Sequence, residues 1–139
     1  MIREPIYAAL FDLVQGAPGL VTTSRKLKIF TDVKPNQRPA LFQAQKSETA
    51  IRKTGFPTVW MIDVTLYIYV STQGAVSPGE VLNPIMDYLE AQLSEPVPGF
   101  SQTLGGLVQW ARIEGTTVTS EGTLGNDEIS LVPVKILTV

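Results

Sequence analysis

Chemistry has few places to start in this chain of 139 residues, because it contains no histidine and no cysteine. Ser–His and Cys–His catalysis are excluded, as are the usual zinc sites and any disulfide. Ser24 near Lys26 offers a nucleophile beside a base, but no supporting motif accompanies them. Asp87 and Glu90 lie one helical turn apart and fit a solvated helix face more simply than a paired-carboxylate site. Asp127 and Glu128 could help hold a cation, although a turn accounts for them with less. There is no Walker phosphate loop and no glycine fingerprint between a strand and a helix. No catalytic residue, cofactor or metal is therefore expected.

The charge distribution says more than its net value of −2. Residues 21–53 carry eight bases (Arg25, Lys26, Lys28, Lys34, Arg38, Lys46, Arg52, Lys53) against Asp32 and Glu48. Residues 54–139 carry Arg112 and Lys135 against nine acids. The bland consequence is two solvated faces of opposite sign. The sharper one is a basic patch on one copy meeting an acidic patch on the next, a head-to-tail contact that closes into a ring when the rotation allows. The basic run, with Phe30, Phe42 and Phe56 in or beside it, could also touch phosphates. Two of those phenylalanines fall where strand cores are expected, and no stacking motif of the known nucleic-acid modules is present.

These residues need elements to position them. The length suits one domain, 1–139, and an apolar content of 44% supplies a core. Residues 4–15 read as a helix with Ile6, Leu10, Leu13 and Val14 as its stripe. Residues 26–31 and 39–45 read as short strands, and 46–56 as a polar mobile loop or the tip of an extended hairpin. Residues 58–71 read as the best strand. One face of it, Trp60, Ile62, Val64, Leu66, Ile68 and Val70, must be core, and the other is mixed. Residues 78–94 read as a second helix, with Ser77 and Glu80 as a capping box and Pro84 as a local conflict to be met by a kink or a start at Asn83. Residues 95–103 form a loop. The strands 107–119 and 128–138 follow, joined by Ser120–Asp127, and Pro133 argues for an edge strand or a bulge. The expected fold is α+β: two layers, a mixed or antiparallel sheet of about five strands, and two helices on one face. No signal peptide is expected at the N-terminus, and the longest apolar stretch, Val59–Val70, is too short and too interrupted for a membrane helix.

Four phrases carry a resemblance: Arg3-Glu4-Pro5-Ile6-Tyr7, Pro39-Ala40-Leu41-Phe42-Gln43, Leu104-Gly105-Gly106-Leu107 and Glu121-Gly122-Thr123-Leu124-Gly125. In this order and spacing the chain resembles the tail terminator, or tail-completion, family of long-tailed bacteriophages, similar to the minor tail protein U group. The resemblance implies a virion protein assembled in the host cytoplasm. It implies a ring, usually hexameric, on the head-proximal end of the tail tube, which stops tube growth and offers the surface that joins tail to head. The implied partners are other copies of the chain, the major tail tube protein and a head–tail connector or neck protein, with DNA only passing through the lumen and no membrane. Loops projecting from the sheet face the tube in that family, which suggests Lys46, Arg52 and Lys53. The charge asymmetry suggests Arg25, Lys28 and Arg38 against Glu114, Glu121 and Asp127 between subunits. Tyr67 and Tyr69 are candidates for a partner-facing sheet surface, since tyrosine suits half-wet interfaces. A neck or head-completion protein of related fold, and a prophage-encoded binding module outside the virion, stand as alternatives.

Overall fold

Alternation of apolar residues along two long strands dictates the architecture, since each strand then has one face that must be covered. The computed structural model describes residues 1–95, 97–123 and 125–139. Pro96 of the expected 95–103 loop and Leu124 of the expected Ser120–Asp127 connection lie outside the described residues. The elements run α1 (Arg3–Val14), β1 (Thr22–Ser24), β2 (Ala40–Ile51), β3 (Val59–Ser71), α2 (Pro78–Leu93), β4 (Val108–Ile113), β5 (Val118–Thr119) and β6 (Asp127–Thr138). The sheet order is β1-β2-β3-β6-β4, with β5 also paired to β6. Only β1 and β2 run parallel, so the sheet is mixed and has six strands.

Both helices cover one face of this sheet, and the fold is two-layer α+β. Ile6, Tyr7, Leu10 and Val14 of α1 and Leu82, Ile85, Leu89 and Leu93 of α2 bury against Ile62, Val64, Leu66, Ile68 and Val70 of β3 and Val132, Val134 and Ile136 of β6. Each such side chain contributes ~1.5–3 kcal/mol by leaving water. At the base of the opposite face a smaller core forms from Val33, Ala40, Phe42 and Tyr69, with Phe30 packed on it. This second core exists because residues 25–38 wrap around the β2 edge instead of pairing with it.

That wrap corrects the expected strand 26–31. The parallel strand is only three residues long and begins four residues earlier, at Thr22, and Phe30–Asp32 and Pro35–Gln37 are single 3-10 turns. Leu27 and Ile29 look like strand residues, yet both are exposed, and only Phe30 and Val33 reach the sheet. The expected strand 107–119 is likewise two strands, broken at 114–117. Pro133 sits not at an edge but in β6, between β3 and the β4–β5 side. Its carbonyl accepts from Glu114 N–H, so its nitrogen faces the same side, where β4 has ended and β5 has not begun. No donor is missing there, and proline is tolerated inside the sheet. Helix α2 starts at Pro78 and runs through Pro84. The Glu80 carboxylate accepts the Ser77 backbone N–H at 2.7 Å, as a capping box requires. Pro84 removes one bond just past the first turn, on an exposed face, and the buried stripe of Leu82, Ile85, Leu89 and Leu93 offsets the loss.

Candidate interaction surface

Of the two readings of 46–56, a mobile loop or the tip of an extended hairpin, the structure shows the hairpin, with the turn after Ile51. β2 continues through it to Ile51, paired rung by rung with Val59–Asp63 of β3. Its polar residues obscure the strand, but the β3 backbone needs a partner and β2 supplies it. The β3–β6 ladder begins only at Met61, so the rungs Ile51–Val59 and Ala50–Trp60 and the turn between them stand beyond the body of the sheet.

The first turn of α1 braces this hairpin. Glu48 accepts hydrogen bonds from Arg3 Nε and Tyr7 OH, each at 2.7 Å, and the Arg3 guanidinium lies 5.1 Å from the Trp60 ring centre. Burial pushes the Glu48 carboxyl up, but Tyr7 and Arg3 outweigh it and hold the group below its ordinary value. Burial, then the Glu48 bond, push the Tyr7 phenol up. At the tip Phe56 is 66% exposed and Ile51 41% exposed, flanked by Arg52 and Lys53, with Lys53 Nζ 5.4 Å from the Phe56 ring centre. The sequence marks Phe56 only as an aromatic beside the basic run, and its exposed place at the tip, like the brace, escaped sequence reasoning. A large aromatic between Gly55 and Pro57, in a turn, was the signal available for the first; nothing local announces the second.

The remaining candidates scatter over the molecule. Arg25 pairs with Glu4, with Nη2 2.9 Å from Oε1, inside its own chain. Arg38 is not free for a neighbour: its side chain is 5% exposed and pairs with Asp127 at 3.3 Å. It also donates to Ser71 Oγ at 2.6 Å and to the carbonyls of Phe30 and Val33, and it stacks 3.9 Å from the Phe30 ring centre. Arg38 and Asp127, expected on opposite sides of a subunit contact, thus clasp the 25–38 wrap onto the sheet. Tyr69 is also corrected: it is buried beneath Phe30 and donates to the Lys28 carbonyl at 2.6 Å. Tyr67 stays half-buried under Lys46, whose Nζ donates to its hydroxyl at 2.6 Å. Lys28 and Glu121 are exposed, and Glu121 accepts from Gly79 N–H at the start of α2. Glu114 is half-buried and pairs with Arg112 at 3.3 Å.

The chemical candidates do not assemble either. Ser24 Oγ accepts from the Lys26 backbone N–H, not from the amine. Asp127 and Glu128 are neighbours in a strand, so they point to opposite faces. Among the described residues no three acidic side chains cluster to hold a metal, and no helix is long and apolar enough to cross a membrane.

The charge left over is ordered. Among the described residues five ion pairs form, Arg3–Glu48, Arg25–Glu4, Arg38–Asp127, Arg112–Glu114 and Lys135–Asp63. The other six bases, Lys26, Lys28, Lys34, Lys46, Arg52 and Lys53, all belong to the wrap, β2 and its hairpin. Glu80, Asp87, Glu90 and Glu95 lie on α2 or just beyond it, and α2 lies over β3, β6 and β4. The β1–β2 side of the domain is therefore basic, and the α2–β4 side acidic. No model of a known protein family matches the chain, and no curated protein is similar to it in sequence.

Proposed function

We propose that this chain is a structural subunit of a bacteriophage virion that forms a ring, hexameric in the family it resembles, on the head-proximal end of the tail tube. The ring ends tube growth and presents the surface for joining to the head. It assembles in the host cytoplasm, its partners are further copies of itself, the tube protein and a connector or neck protein, and DNA passes through its lumen. It works by shape and surface complementarity, not by bond chemistry.

One observation supports the self-assembling part of this reading above the rest: the six bases outside the ion pairs all lie on the wrap, β2 and its hairpin, with Asp32 the one acid among them left outside those pairs, while Glu80, Asp87, Glu90 and Glu95 gather on or just beyond α2. Such a domain presents a different surface on its left and right, the condition for a heterologous contact that closes into a ring. The projecting hairpin adds a second element built to reach a neighbour.

Deleting the gene from its phage or prophage and imaging the particles tests the tail reading. Overlong, irregular tails without heads are the expected result. Tails of normal length that fail to join capsids would move the protein to the neck, and normal infectious particles would remove it from the virion.

A further inference from the structure

We propose that the hairpin tip of one copy seats in the cleft between β4 and the segment that follows α2 in the next, with Phe56 as its anchor. This contact rests on the self-assembly in the reading above but not on the tail. The cleft has a volume of about 230 Å3 and is lined by Ser94, Glu95, Ser101, Trp110, Ala111, Arg112 and Ile113. The volume is large enough for a phenylalanine ring, whose apolar contacts there would be Ala111, Ile113 and the Trp110 ring, with the polar rim left to the flanking cations.

Three observations select a second copy as the occupant. The tip carries Arg52 and Lys53 and no acid from Ala50 to Thr58, whereas the cleft holds Glu95 with Glu90 one turn and a half away on α2. The base that lines the cleft, Arg112, is already occupied by Glu114 at 3.3 Å and by the Trp110 ring, 3.7 Å from its centre. The two surfaces also lie on opposite sides of the sheet, with β2 toward one edge and β4 at the other. Tip into cleft is then a left-to-right contact, repeatable from copy to copy.

The brace gives the tip its fitness for this. Because Arg3 and Tyr7 hold Glu48, the hairpin is ordered before it meets a neighbour, and little entropy is lost on docking. An exposed aromatic rimmed by cations, entering a cleft with a tryptophan wall and a carboxylate rim, has the make-up of an interface anchor. The tip also has a place to go that β2's own edge lacks. The outer edge of β2 is covered by β1 over Ala40–Phe42 and interrupted by the register shift between Gln45 and Ser47, where Lys46 projects. A bulge and a lysine are the usual guards against edge-to-edge pairing.

The chain has no cysteine, so engineered thiols report cleanly. Thr54→Cys protein is mixed with Ser101→Cys protein and oxidised, beside a control mixture of Thr54→Cys with Val76→Cys. A cross-linked yield at least about tenfold above the control is expected, and adding Phe56→Ala to the Thr54→Cys chain should remove that excess. Reversing the tip charges (Arg52→Glu, Lys53→Glu) or the cleft charges (Glu90→Lys, Glu95→Lys) should each lower the yield by about tenfold, and mixing the two reversed chains should restore it. All these positions are exposed, and circular dichroism checks that each variant stays folded. Equal yields in test and control mixtures, or loss of the cross-link without rescue by the paired reversal, overturn the contact. Normal tails after gene deletion would end the tail reading and leave a positive cross-link standing. Overlong tails with no cross-link would do the reverse.

Discussion

Two arginines show how differently one residue type can act. Arg38 is almost buried and satisfies two carbonyls, a serine and an aspartate at once. Arg25 is an ion pair on an exposed rim. Removing a buried, hydrogen-bonded charge leaves its partners unpaired, so Arg38→Ala should cost about 2–4 kcal/mol in urea unfolding. Arg25→Ala should cost less than about 1 kcal/mol. Glu128 presents the opposite case. It is 2% exposed with Oε2 unpartnered, and burial, then the charge of Glu121, push its carboxyl above the ordinary 4.5. A carboxyl raised in the folded state holds its proton more tightly there than in the unfolded chain. Its contribution to stability is therefore full below pH 4.5 and is lost as pH rises through the folded value. Glu128→Gln should flatten that slope and stabilise the protein at pH 7 by about 1 kcal/mol, read as a higher Tm.

At the scale of elements, the braced hairpin titrates with the reverse sign. Glu48 is held below its ordinary 4.5, so what it contributes is present above that pH and lost as pH falls through the folded value. In a Trp110→Phe background, Trp60 emission should shift to the red on acidification below 4.5, and Tyr7→Phe should move the onset to higher pH. An onset that ignores Tyr7→Phe would mean the bond does not hold the hairpin. The break between β4 and β5 makes another prediction. Gly115 has φ +117°, and a Cβ there would meet Pro133 Cγ at 3.2 Å. Gly115→Ala should therefore destabilise by about 1–3 kcal/mol through strain that no rotamer relieves. The elements legible in the sequence were those whose period is undisturbed: β3 by alternation, α2 by its stripe and cap, α1 by Ile6, Leu10 and Val14. The far half of β2 stayed undecided between a loop and a hairpin because Lys46–Thr49 is polar and owes its strand to β3. The wrap was misread because Leu27 and Ile29 imitate a strand while facing water. Of the candidate site, the charge asymmetry and the projecting segment could be read in advance. Arg38, Asp127 and Tyr69 could not, since their partners are 33 to 89 residues away or contributed by the wrap.

Outside the five ion pairs, the bases of the molecule gather on the wrap and the β2 hairpin and most of the acids toward α2. An assembly held this way weakens as salt screens it, over the range where the Debye length falls below ~10 Å. Sedimentation at rising sodium chloride should show the self-association of this chain falling steadily between about 0.05 and 0.5 M, with the fold intact throughout. Association that grows with salt would point to an apolar contact alone.

The position of β6 has a consequence for how the molecule comes into being. This strand is last in the described chain yet lies between β3 and β4, covering Val64, Leu66 and Ile68 on one side and closing against Ala111 on the other. Until residues 127–138 leave the ribosome, a nascent chain holds the three-stranded β1-β2-β3 sheet with a raw edge at β3, while β4 and β5 have no strand to pair with. Closing the sheet across β3, β6 and β4 is therefore a late event of high sequence separation. The hairpin, made of neighbours in sequence, can form early, but the cleft requires β4, which gains its sheet partner only when the last strand arrives. In the proposed contact, each copy's tip is thus ready before its cleft.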